Sequence, residues 1–249
     1  MNPTPRRFSL RFFLTLLVLF ATSLSAYVLL SPPRRWQYGV TYTVDNRGIA
    51  SIADGDGGVS RTVSAITSAS AWNGAGAGTR VNASAGSVAS WQLGDGIPML
   101  NFTDPVNACT GNCLAATFTG YYSSSSGYIT DADIVTNSTG FAWTSQGEDP
   151  NGAGCSNEYY IESVAVHEVG HGLGLDHNPT QASATMYPYT NACDNSHATT
   201  EADDNAGIQA LYNCTPYGYL CDPRYVSGVV CCPGRTCRSP YPGVPQYCL

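Results

Sequence analysis

The sequence predicts an α+β domain of layered strands and helices, closed by a small disulfide-stapled tail. Short alternating segments are interspersed with three stretches of helical spacing, the pattern of a layered fold. A hydrophobic fraction of 43% against 12% charged residues, over 249 residues, suffices to bury one core with an appendage. Cysteine density marks the tail. Cys109, Cys113, Cys155 and Cys193 are spread through the body, whereas Cys214, Cys221, Cys231, Cys232, Cys237 and Cys248 crowd together at the end. The expected division is therefore 1–26, 27–213 and 214–249.

Residues 1–26 read as a secretory signal peptide. Arg6, Arg7 and Arg11 precede an apolar run from Phe12, and small residues at Ser25 and Ala26 suit cleavage. An uncleaved anchor is the alternative, because the run is long enough to cross a bilayer. Either way the remainder faces an oxidising exterior, where ten cysteines form disulfides.

Val40–Asp45 alternates apolar and polar residues like a half-buried strand. A Gly/Asp turn at 54–58 leads into a helix over 59–73, with Val59, Val63 and Ile66 on one face. The Gly/Ala/Ser stretch from 74 to 90 reads as loop. Strands are expected at Pro98–Phe102, Ala115–Tyr121 and Gly127–Thr136, and helices over 158–173 and 201–213. Without residues 1–26 the net charge is 8 − 18 = −10, which excludes nucleic acid and, once the signal is removed, anionic membrane as partners. The acidic surface suits a structural calcium ion, although no EF-hand loop is present.

The densest chemistry lies in His167-Glu168-Val169-Gly170-His171-Gly172-Leu173-Gly174-Leu175-Asp176-His177. Residues four apart share a helix face, about 6 Å along the axis, so His167 and His171 can grip one ion. Continued as helix, a third ligand ten positions on would sit about 15 Å away. The chain must therefore reverse, and Gly174 supplies a residue free to take a left-handed conformation. His177 then completes a three-imidazole zinc site with one position open for water, and Glu168 beside it is the expected proton acceptor. Asp176 is a rival third ligand, one position short of the pattern. Three of four histidines fall in eleven residues; His197, in a polar loop, is expected to be exposed.

These residues resemble the metzincin zinc peptidases and, within them, the matrixins (matrix metalloproteinase-type enzymes). The HExxHxxGxxH string matches, and Ala184-Thr185-Met186-Tyr187-Pro188 resembles the family's Met-turn, with Met186 beneath the metal. Asp203-Asp204 resembles the acidic pair of the last helix, which braces that turn, and Asp133-Ile134 the edge strand of the substrate cleft. The resemblance implies a twisted five-stranded mixed sheet with three helices and a lower subdomain from Gly174. It also implies hydrolysis of an extended protein or peptide substrate laid along the sheet edge, by a monomeric, secreted enzyme. Departures are plain. No cysteine precedes Cys109 to plug the zinc as a propeptide cysteine does, and there is no stretch for a prodomain before Val40. His197 alone cannot build a second, three-histidine zinc site. The pocket wall Pro-x-Tyr becomes Pro188-Tyr189. Disulfides Cys155–Cys193 and Cys109–Cys113 are expected to replace the missing metal support.

The tail spacing C-x6-C-x9-CC-x4-C-x10-C resembles knottin domains. It is read as a terminal plug, a substrate anchor or an inhibitory lid. A secreted binding protein acting through this tail is the alternative to an enzyme, and Glu168 argues against it. Sequons begin at Asn82, Asn101, Asn137 and Asn213.

Overall fold

Val40–Asp45 (β2) alternates as expected, with Val40, Tyr42 and Val44 buried. In a computed structural model, which describes residues 27–76, 80–88, 93–121, 127–152, 154–213, 220–222, 224, 231 and 236–249, β2 lies inside a five-stranded mixed sheet. The segment read as a signal peptide lies outside the described residues. Val28–Leu29 (β1) precedes β2, and Val81–Gly86 (β3), Met99–Asn101 (β4), Ala115–Tyr121 (β5) and Ile129–Thr136 (β6) follow it. The sheet order is β3-β2-β4-β6-β5, parallel throughout except β5, which runs antiparallel to β6 at one edge.

Two helices, Val59–Thr67 (α1) and Ile161–Gly172 (α2), join the sheet in one core. Tyr42, Leu100, Ala132 and Ile134 of the sheet belong to the same buried cluster as Ile66, Trp72, Val164, Val169 and Leu173. Ala202–Tyr212 (α3) adds Ile208 and Leu211 and starts with a capping box between Glu201 and Asp204. Trp143–Thr144 (β7) pairs with Tyr159–Tyr160 (β8), and β1 pairs antiparallel with Leu175–Asp176 (β9). In the tail, Cys237–Arg238 (β10) pairs with Tyr247–Cys248 (β11).

Several expectations need correction. The helix read over 59–73 ends at Thr67; a turn and a 3-10 segment at Trp72–Gly74 follow, and Ser68 is extended. The stretch read as loop contains β3, held to β2 by the backbone and to Asn73, whose amide bonds both Val81 N and Val81 O at 2.8 Å. Asp133-Ile134 lie on β6, an inner strand; the free edge beside the helix belongs to β5. Asn101 is buried and accepts from Thr103 N and Oγ1 at 2.9 and 2.8 Å, so this sequon serves a turn.

All four body cysteines pair as anticipated, Cys109–Cys113 and Cys155–Cys193. The second bridge ties the approach to α2 to the segment after the Met-turn. In the tail, Cys221–Cys237 and Cys231–Cys248 cross, second with fifth and third with sixth; Cys214 and Cys232 lie outside the described residues.

Asp133 is fully buried, and neither of its oxygens forms a well-shaped hydrogen bond among the described residues. Burial, with the Asp131 and Asp95 carboxylates beside it, pushes its carboxyl up to about 7. An unfolded aspartate ionises near ~3.9, so across that window the fold binds the extra proton and loses stability as pH rises. Asp133→Asn should change stability little at pH 4 and raise it at pH 8 by roughly 2–4 kcal/mol. Urea unfolding at the two pH values measures this, and an equal effect at both would contradict it.

Candidate metal centre

α2 carries His167 and His171 one turn apart, and its rigidity comes from packing. Ile161, Ala165, Val166 and Val169 are buried, and Trp72 Nε1 donates to Val166 O at 2.8 Å. The C-terminal carbonyls that a helix leaves unpaired are met by side chains: Trp36 Nε1 donates to Gly172 O and Tyr212 Oη to Leu173 O, both at 2.8 Å. Gly174 then has φ 106°, and a side chain there would run into Arg34 O. Outside the reversal β1 pairs with β9, and Leu30 N donates to Gly174 O at 3.0 Å.

The reversal returns His177 to the helix. Its Nε2 lies 3.2 Å from Nε2 of His167 and 3.1 Å from Nε2 of His171. Tetrahedral zinc with nitrogen ligands at its usual bond length sets them about 3.3 Å apart, so the three imidazoles fit that ion. Their tautomers agree. His167 Nδ1 faces Thr185 O at 2.6 Å and His171 Nδ1 faces Leu175 O at 2.9 Å. A carbonyl only accepts, so both Nδ1 atoms carry the proton and both Nε2 lone pairs point to the shared centre. Burial, then the neighbouring His171 ring, holds His167 well below the ordinary imidazole range and lowers His177. Neutral rings are the form that binds metal. Asp176, the rival ligand, accepts from His177 N at 2.8 Å and so shapes the turn.

Met186 lies directly beneath. A side chain at Gly170 would overlap Met186 Sδ and come within 2.6 Å of Trp72 Cζ2. Asp204 fixes the Met-turn from α3, accepting from Thr185 N at 2.8 Å and Met186 N at 3.1 Å. Asp203 accepts from Asn178 Nδ2 at 2.9 Å, and Asn178 N donates to Met186 O at 2.8 Å. The acidic pair thus braces the turn.

A cleft of about 430 Å³ opens over the three histidines. β5 supplies Ala115, Ala116, Thr117 and Thr119 on one side, and Tyr187, Pro188 and Tyr189 the other. Glu168 lines it and is only 6% exposed; burial pushes its carboxyl up. Its Oε2 accepts from Thr117 Oγ1 at 2.6 Å. His197, expected at the surface, is 5% exposed and lines the cleft with Ser163, whose buried hydroxyl has no partner among the described residues. Tyr189 stands at the mouth, 72% exposed, its ring edge-on to Tyr187. Neither Thr117 nor His197 carries a readable signal in the sequence as a cleft residue; Ser163, one turn before His167 on the same face, does. The sulfurs of Cys221, Cys231 and Cys248 also lie close together, but all three belong to disulfides and are not thiolate ligands.

Residues 90–213 match the family model for matrixin, peptidase family M10. The chain is 45% identical over 56 residues to metalloendoproteinase 4-MMP of Arabidopsis thaliana, 22% of this chain and 16% of that protein. It is 45% identical over 58 residues to metalloendoproteinase 5-MMP of the same plant, 23% and 16% respectively. Macrophage metalloelastase of Oryctolagus cuniculus shares 49% over 49 residues, 20% of this chain and 10% of that one. The chain thus spans 16% or less of the length of these relatives.

Gly170→Ala should overpack the Met186–Trp72 contact, cost about 1–3 kcal/mol and weaken zinc binding. Denaturant unfolding and competition with a chromogenic chelator measure the two effects; wild-type behaviour in both would contradict the packing account.

Proposed function

We propose that the chain is a secreted matrixin-type zinc endopeptidase hydrolysing extended segments of extracellular proteins, a reading supported by the matrixin match over residues 90–213 and the three converging histidines. The observation that carries the reading is the convergence of His167, His171 and His177 on one point, with the Glu168 carboxylate at the same cleft. A zinc ion held by those three nitrogens supplies Lewis acidity, lowering the pKa of a water and polarising a carbonyl.

The chain's own residues do the rest. β5 is hydrogen-bonded to β6 on one side, and its other edge borders the cleft. An extended peptide can add there as a further strand, which fixes its backbone with little regard to sequence. Glu168 Oε1 takes a proton from the attacking water and passes it to the departing amine nitrogen, so the base ends each turnover as it began. Pro188 and Tyr189 are the proposed wall of the specificity pocket. Ser163 and His197 give the lining a polar part, so the pocket accommodates more than aliphatic side chains.

Around this core we assign residues 1–26 to a cleaved signal, 27–213 to the catalytic domain and 214–249 to a knottin-like module, the whole acting as a monomer. Crossed Cys221–Cys237 and Cys231–Cys248 bridges support the knottin-like assignment. Disulfides throughout suit an oxidising destination, and among the described residues no helix is long and apolar enough to cross a membrane. A structural calcium ion remains part of the proposal on the strength of the acidic surface.

Purified chain should hold one zinc per molecule and cleave casein, with activity lost to a chelator and restored by zinc. Glu168→Ala should cut turnover at least about a thousandfold while zinc content stays at one. His177→Ala should lower both. Undiminished cleavage by the Glu168 variant would overturn the assigned base.

A further inference from the structure

Thr117 lies on β5, the strand bordering the cleft, yet its hydroxyl turns inward to α2. Oγ1 is 2.6 Å from Glu168 Oε2 and 2.9 Å from the backbone oxygen of the same residue. A threonine hydroxyl carries one proton, and the shorter contact with the charged acceptor takes it. Oε1 of Glu168 makes no hydrogen bond among the described residues and belongs to a side chain lining the cleft. The two carboxylate oxygens are therefore unequal. One is held from the strand, the other left for chemistry.

Resting on the endopeptidase reading, we propose that Thr117 is a positioning residue for Glu168: its hydroxyl clamps Oε2, fixes the carboxylate rotamer, and reserves Oε1 as the proton acceptor. A glutamate side chain has three rotatable bonds, and an unheld one would spread its reactive oxygen over several rotamers. The clamp also registers the base against the strand on which the substrate is expected to lie. Proton accounting is simple. Oε1 gains the proton from water and loses it to the amine nitrogen, while Thr117 keeps its own hydrogen throughout and donates it to the same oxygen. The Thr117 hydroxyl touches neither substrate nor metal in this scheme and acts only through Glu168.

The test compares Thr117→Val, which keeps the branched shape and removes the hydroxyl, with Thr117→Ser, which does the reverse. In zinc-loaded full-length protein acting on a fluorogenic peptide, the valine variant should lose about tenfold to a hundredfold in kcat. Its KM and zinc content should be unchanged, and the serine variant should stay within about threefold of wild type. The 13C shift of the Glu168 carboxyl carbon reads the contact without turnover: it should move in the valine variant and not in the serine variant. A valine variant with wild-type kcat and an unmoved carboxyl signal overturns the proposal. So does a serine variant as impaired as the valine one, since shape alone would then explain the loss. Wild-type protein that binds zinc but cleaves no peptide sinks the endopeptidase reading instead, and the carboxyl signal still decides whether the clamp exists.

Discussion

Everything at the metal centre depends on one backbone reversal between Leu173 and His177. The helix presents two imidazoles by its own periodicity, but the third arrives only because Gly174 takes a positive φ where Arg34 O leaves no room for a side chain. The same five residues do a second task. They place Leu175 O against His171 Nδ1, so the turn that delivers one ligand also sets the tautomer of another. β1 closes the outside of the reversal through its pairing with β9. The ion site is thus a property of α2, the turn around Met186 that soon follows it, and a strand more than 130 residues earlier in the chain, β1.

The site was legible to the extent that its spacing is local. His167, Glu168 and His171 follow from helical periodicity, and the position of His177 from the need to double back. The body disulfides were legible through the resemblance. What was not legible depends on packing between distant segments. His197 sits in a string of polar residues that carries no sign of burial, yet its short 3-10 segment packs on α2. Thr117 looks like any strand threonine until β5 is set beside α2. β3, Val-Asn-Ala-Ser-Ala-Gly, lacks apolar alternation because an edge strand can be held by backbone bonds and the Asn73 amide. The edge strand differs from the expectation for a related reason: a strand's own residues do not state its neighbours, and Asp131 and Asp133 disguise the nearly complete burial of β6.

Acidic residues are used inside this protein in contrasting ways. Asp204 is buried, but it accepts from the backbone of Thr185, Met186 and Glu201, so it substitutes for solvent along a loop that has little regular structure of its own. Asp45 is met by an arginine, one of two ion pairs among the described residues. Asp133 has no arginine beside it and no well-shaped hydrogen bond among the described residues. Backbone amides are the principal counterpart of buried carboxylates here, which suits a chain with no lysine at all.

The two kinds of bracing around the cleft differ in chemistry. The ion cage consists of imidazoles, main-chain oxygens and the Asp204 carboxylate, none of which responds to thiols. The far wall is anchored by Cys155–Cys193, which thiols can cleave. In a glutathione-rich setting the three-imidazole cage would keep its shape while the segment carrying Tyr187, Pro188 and Tyr189 loosened, so the width of the cleft would change before the grip on an ion did.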